Sequence, residues 1–178
     1  MAKNIYNRIM RMLFEKPSYK FHLRELARMA RGHPNTARAA AQLLEKEGIA
    51  RIEKRKHLTE ISADIESKAF VRKKRAFNFE QIYGSGVIEY LAKRFDPESI
   101  SVMGSYSRGE DIEKSDIDVV VIKPLAKEKN EKGEDIGTFE SVLKRRIHLI
   151  VADYREMSDE FYTNLINGML LYGYLRKK

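Results

Sequence analysis

Hydrophobic positions recur at helical spacing over residues 4–14, where Ile5, Ile9, Met12 and Leu13 share a face before Lys16-Pro17-Ser18 ends the run. A second, shorter helix is predicted over residues 22–30 on the stripe Leu23, Leu26 and Ala27, followed by the breaker Arg31-Gly32-His33-Pro34. Pro34 suits the first turn of a third helix, which runs through good helix formers to Glu47 and closes at Gly48. Leu23, Leu26, Leu43, Leu44 and Ile49 are assigned to its core. Beyond Gly48 the period changes: two short alternating segments, 49–53 and 58–62, flank the basic tip Lys54-Arg55-Lys56-His57, the pattern of a hairpin.

Residues 66–79 lack a clean apolar face and carry Lys68, Arg72, Lys73, Lys74 and Arg75, which fits either a helix or a linker, contacting phosphate or simply solvated. Ile82, Val87, Ile88, Leu91 and Phe95 then mark one helix over residues 80–95, ended by Pro97. Three strands follow, at 99–103, at 119–122 and at 145–152, and the polar stretch 123–137 between the last two reads as a loop. Gly168 and Gly173 read as helix-end and packing positions.

A chain of 178 residues with this change of pattern suits two small domains. Apolar content of 43% and charged content of 34% describe a soluble globular protein, and no apolar run approaches the roughly 20 residues of a membrane span. With no cysteine and no apolar signal core at the N-terminus, the expected location is cytoplasmic. Charge is divided unevenly. Residues 1–78 hold 19 Lys and Arg against 8 Asp and Glu, a net of +11, while residues 79–178 hold 15 against 18, a net of −3. A positive field confined to the front half either solubilises it or attracts a polyanion, nucleic acid being the commonest.

Three helices followed by a two-stranded wing resemble the winged helix-turn-helix family of DNA-binding domains. The stretch HLRELARMARGHPNTARAAAQLLEKEGIARIEK is similar to its second helix, turn, recognition helix and first wing strand. The resemblance implies that Asn35, Thr36, Arg38 and Gln42 face the major groove, and that Arg51, Lys54, Arg55 and Lys56 meet phosphates or the adjacent minor groove. Such modules also serve as protein-docking units; the concentration of positive charge favours DNA as partner.

The stretch GSYSRGEDIEKSDIDVVVI holds the other chemistry. Gly104 lets the backbone approach a phosphate, and the Ser105 hydroxyl and nearby amides can donate to it. Period-two geometry places Asp116 and Asp118 on one strand face, where like charges repel unless a hard cation such as Mg²⁺ lies between them. A Gly-Ser pair, ten residues, then Asp-x-Asp before an apolar strand resembles the nucleotidyltransferase fold of the DNA polymerase beta superfamily, most nearly its minimal bacterial and archaeal members. The closing FYTNLINGMLLYGYL also looks like the end of those domains.

This resemblance implies that Gly104 and Ser105 hold the phosphates of an NTP, ATP being the first candidate, and that Asp116 and Asp118 bind Mg²⁺. Arg108 is either a phosphate contact or a surface residue. Where such folds carry a third carboxylate, the aligned position holds His148, which is a base or ligand, or else a buried structural histidine; Asp153, at an odd offset, points to the other face. The expected fold class is α+β: a winged helix over residues 1–65, a basic linker or helix over 66–80, and an α/β nucleotidyltransferase domain with a short mixed sheet flanked by helices over 81–178. The leading function is a regulatory, DNA-tethered, Mg²⁺-dependent nucleotidyltransferase whose acceptor is left open, protein among the choices, and no membrane is involved. Two alternatives stand beside it: a transcription regulator whose degenerate back domain senses nucleotide or binds a partner, and an antitoxin that modifies a toxin of the HEPN type.

Overall fold

The computed structural model describes residues 2–55, 58–124, 129–130 and 136–177. It divides into two compact units, residues 1–74 and 75–178.

In the first unit, helix α1 (Ala2–Glu15) buries Ile9, Leu13 and Phe14. Helix α2 (Leu23–Met29) follows the two-residue strand β1 (Phe21–His22). Helix α3 (Pro34–Lys46) starts at His33, whose Nδ1 accepts from the Asn35 amide at 3.3 Å, with Pro34 in the first turn where its missing N–H costs nothing. The hairpin β2 (Ala50–Arg55) and β3 (Leu58–Ala63) pairs antiparallel, and β1 adds to β3 through Phe21 opposite Ile61. A two-residue strand leaves no period to read; fully buried Phe21 is what draws it in.

One core assignment is corrected. Leu43 is 52% exposed, because α3 packs through Ala37, Ala40, Ala41 and Leu44, and Leu43 lies a third of a turn away from Leu44. Three alanines on that face let the backbone of α3 come close to its neighbours, and no larger residue is needed there.

The basic segment forms helix α4 (Lys68–Gly84), within which the boundary between the units falls. In the first unit its Phe70 packs edge-on against Phe14, ring centroids 5.3 Å apart. The single helix expected over residues 80–95 is two. Helix α4 stops at Gly84, and α5 (Val87–Phe95) begins after Gly86, whose φ of +79° breaks the helical path. The Ser85 hydroxyl donates to Ile82 O and accepts from the Val87 amide, filling the gap between them.

The second unit is a five-stranded mixed sheet in the order β6-β7-β5-β4-β8. Its strands are β4 (Ser99–Met103), β5 (Ile117–Ile122), β6 (Lys129–Asn130), β7 (Ile147–Ala152) and β8 (Met169–Gly173). Only the β5 and β7 pair is parallel among the described strands. On one face Ile82, Ile88 and Leu91 cover Ile100, Val102, Val119 and Val121; on the other, helix α8 (Asp159–Ile166) brings Leu165 toward Val120, Ile122 and Ile150. A strand covered on both faces is apolar throughout, which is why Val119 to Ile122 shows no alternation. Gly168 and Gly173 are packing positions as expected: a Cβ at either would strike backbone, Val102 O in one case and Glu98 O in the other. The expected loop lies partly outside the described residues, at 125–128 and 131–135. Helix α7 (Gly137–Leu143) begins within its last residue. No helix among the described residues is long and apolar enough to cross a membrane.

Candidate nucleotide site and candidate nucleic-acid face

Strand β4 ends at Met103, opposite Asp118 of β5. The chain then turns at Gly104 with φ +73° and winds into the five-residue helix α6 (Gly104–Arg108). A side chain at Gly104 would collide with Asp118 Oδ2, so the glycine is required twice, by its backbone conformation and by the carboxylate lying against it. Ser107 Oγ donates to Gly104 O at 2.8 Å, and the Glu110 amide donates to Ser105 O at 3.0 Å, closing the turn. Ser105 is half-buried in its first turn, while exposed Arg108 pairs with Glu110, Nε to Oε2 at 2.7 Å.

Asp116 stands immediately before β5 and Asp118 is the second residue of that strand. Because β5 and β7 run parallel in register, Asp118 stands opposite His148, and two residues earlier Asp116 meets Arg146. His148 Nδ1 is 3.0 Å from Asp118 Oδ1. Arg146 donates from Nε to Asp116 Oδ1 at 3.1 Å and from Nη2 to Oδ2 at 3.5 Å. Each carboxylate therefore has a basic partner, Asp118 from β7 itself and Asp116 from the residue just before it. His148 is 43% exposed, so its reading as a buried structural histidine does not hold. Asp153, just past β7, is buried and held by Arg155 at 2.7 Å, away from this pair.

A cleft of about 600 Å³ adjoins Asp116, lined also by Ser115, Ser141, Lys144, Arg145 and Arg146. Among the described residues no three His, Cys, Asp or Glu side chains are gathered so as to hold a metal ion by themselves.

Behind α6, Asn78 of α4 is buried and donates to Tyr106 O at 2.9 Å and to Asp111 Oδ1 at 2.7 Å. Sequence reasoning singled out none of Arg146, Asn78 and Asp111. Arg146 had a signal: it lies two residues before His148, the same spacing that separates Asp116 from Asp118. Asn78 had none, because it sits in a helix whose face the basic residues obscured.

In the first unit, Asn35, Arg38 and Gln42 are exposed on α3 and Thr36 is half-buried. Arg38 and Gln42 border a groove of about 330 Å³ that also touches Lys54 and Thr59 of the hairpin. Glu45 accepts from the Ile52 amide at 3.1 Å and ties α3 to β2. Arg51 is engaged by Asp64 at 2.7 Å and Glu66 at 2.6 Å, and both carboxylates hold its guanidinium above its ordinary value. Arg55 lies 3.5 Å from Glu53 and 3.9 Å from Glu60, Lys54 is exposed, and Lys56 lies outside the described residues.

No curated protein and no solved structure matches the chain. Residues 85–167, which hold Gly104, Ser105, Asp116, Asp118 and His148, match the family model of the nucleotidyltransferase domain, and this supports such a domain in the second unit with nucleotidyl transfer as its general chemistry.

Proposed function

We propose that the protein is a DNA-binding, Mg²⁺-dependent nucleotidyltransferase that moves a nucleotidyl group from an NTP, with ATP the first candidate, to an acceptor. The observation that carries this reading is the packing of Gly104 on Asp118: the turn that would receive phosphates and the carboxylate that would receive metal touch each other. Two carboxylates at the entrance of β5 fit Mg²⁺, which takes one or two of them together with substrate phosphate oxygens and water. Bound there, Mg²⁺ would neutralise the phosphates and align the displacement.

The residues of the chain divide the remaining work. Gly104 and Ser105 would hold the outer phosphates, with Arg108 free to add a charge-assisted contact once it leaves Glu110. Asp116 and Asp118 would hold the cation. His148, oriented by Asp118, stands in the place of the third carboxylate and can take a proton from the acceptor hydroxyl. In the transfer, that hydroxyl oxygen bonds to the α-phosphorus, the bond from the α-phosphorus to the bridging oxygen breaks, and pyrophosphate leaves.

The first unit is read as a winged helix that gives the transferase an address on DNA, with α3 in the major groove and the hairpin along the backbone. Its net positive charge supports this. A second reading is favoured by one observation: both carboxylates are already matched with basic partners, Arg146 and His148, as in a domain that binds nucleotide or a protein without transferring anything. Incubation with α-labelled NTPs, Mg²⁺ and candidate acceptors separates the two. Label in an acceptor supports transfer; nucleotide binding without label in protein, RNA or small-molecule acceptors supports the regulator.

A further inference from the structure

Helix α6 is five residues long, too short to hold its own shape, since an isolated helical turn is unfavourable in water. Its conformation must be set by what it rests on. The support is a buried polar cluster. Asn78 Nδ2 reaches both Tyr106 O, in the middle of the turn, and Asp111 Oδ1, beyond its end. The Tyr106 hydroxyl donates back to Asn78 O at 3.3 Å. Asn78 and Asp111 are each 2% exposed and Tyr106 is 4% exposed. Burial first, and the Asp111 charge second, push the Tyr106 phenol up against the opposing pull of Arg145, so it remains a neutral donor.

Asp111 also lies 3.8 Å from Arg145 Nη2, and the next residue, Arg146, is the one that holds Asp116. A single amide thus fixes both ends of the segment that follows Gly104 and Ser105, and its carboxylate partner extends the support to the start of β7. Buried polar contacts are rigid where the donor is satisfied, as Asn78 Nδ2 is by its two acceptors.

We propose that Asn78, acting with Asp111, is a positioning residue for nucleotide binding: it clamps the Gly104–Arg108 turn in the form that receives the triphosphate, without touching the nucleotide. The role rests on the reading of that turn as the phosphate site.

The test is a calorimetric titration of the full chain with Mg-ATP, at a temperature where circular dichroism shows every variant folded. The parent, Asn78→Ala, Ser105→Ala and the double variant form a cycle. Asn78→Ala is expected to weaken binding about tenfold, and the double variant to bind no more than about twofold weaker than Asn78→Ala alone, because a misplaced turn no longer presents Ser105. A merely structural asparagine would lower the melting temperature and leave the affinity of the folded protein untouched. Should Asn78→Ala fail to fold, Asn78→Ser, which keeps one short donor, is expected to bind about threefold weaker. Parent-like affinity in a folded Asn78 variant, or full additivity in the cycle, overturns the role of Asn78 while leaving the nucleotide site standing. A parent that does not bind Mg-ATP overturns both.

Discussion

Replacing Gly104 by alanine separates two costs that the fold allows to be measured apart. Gly104 and Gly86 both have positive φ, +73° and +79°. Either substitution forces a Cβ into the left-handed region, at about 1–2 kcal/mol. They differ in what the new methyl meets. At Gly86 nothing lies within 4 Å, whereas at Gly104 the methyl runs into Asp118 Oδ2. Gly86→Ala is therefore expected to lower unfolding stability by about 1–2 kcal/mol and to leave nucleotide affinity alone. Gly104→Ala carries the same backbone cost and must in addition push the Asp118 carboxylate aside, which disturbs the His148 contact at 3.0 Å and the proposed metal-binding position together. A loss of nucleotide affinity of about tenfold or more is expected, the size of one displaced charge-assisted contact. Urea unfolding gives the stabilities, and calorimetry with Mg-ATP gives the affinities. Equal loss of affinity in both variants, or none in Gly104→Ala, would refute the idea that the glycine serves the carboxylate and the phosphate at once.

Further outcomes follow from the same geometry. His148→Ala should lower nucleotidyl transfer about 100-fold with Mg-nucleotide affinity little changed, measured by single-turnover label transfer; transfer gained in His148→Asp over a silent parent would instead favour the regulator. Lys54→Ala should reduce the slope of log affinity against log salt for duplex DNA by about one, read by fluorescence anisotropy, and a slope unchanged by the variant would remove Lys54 from the phosphate contacts. Leu44→Ala should cost about 2–5 kcal/mol, whereas exposed Leu43→Ala should cost about 0.5 kcal/mol or less. The Glu47 carboxyl is held below the ordinary glutamate range, chiefly by the Lys73 hydrogen bond, so its contribution is present above that range and is lost as pH falls through the lower folded value. Lys73→Met should therefore be less stable than the parent at pH 7, by under about 1 kcal/mol for so exposed a pair, with the difference vanishing in acid.

Most of the elements were legible because their signals are local. Pro34, the alanine-rich run and Gly48 mark α3 from both ends, and the alternation after Gly48 marks the hairpin. The Asp-x-Asp spacing at the entrance of an apolar strand was legible for the same reason, and β5 does begin between the two aspartates. What stayed hidden depends on partners distant in the chain. Strand β1 exists because Phe21 finds Ile61, and Leu43 turns outward because alanines suffice for the face of α3. Residues 80–95 keep an apolar period across Gly86, so periodicity alone carried the helix over a break made by one positive φ. In the candidate site, Asp116 and Asp118 could be seen, but their partners Arg146 and His148 are set by the parallel register of β5 and β7, which the sequence does not spell out. The Asn78 amide beneath α6 is a contact across 28 residues from a helix with no evident face.

In the proposed function the Gly104 turn and the Asp116–Asp118 pair form a nucleotide site that depends on Mg²⁺. Calorimetric titration of ATP and GTP, with and without Mg²⁺, into the parent and an Asp116→Asn/Asp118→Asn double variant tests it most directly. Binding by the parent that requires Mg²⁺ and disappears in the double variant is the expected result. Binding that ignores both Mg²⁺ and the two substitutions, or no binding by the parent, would contradict it.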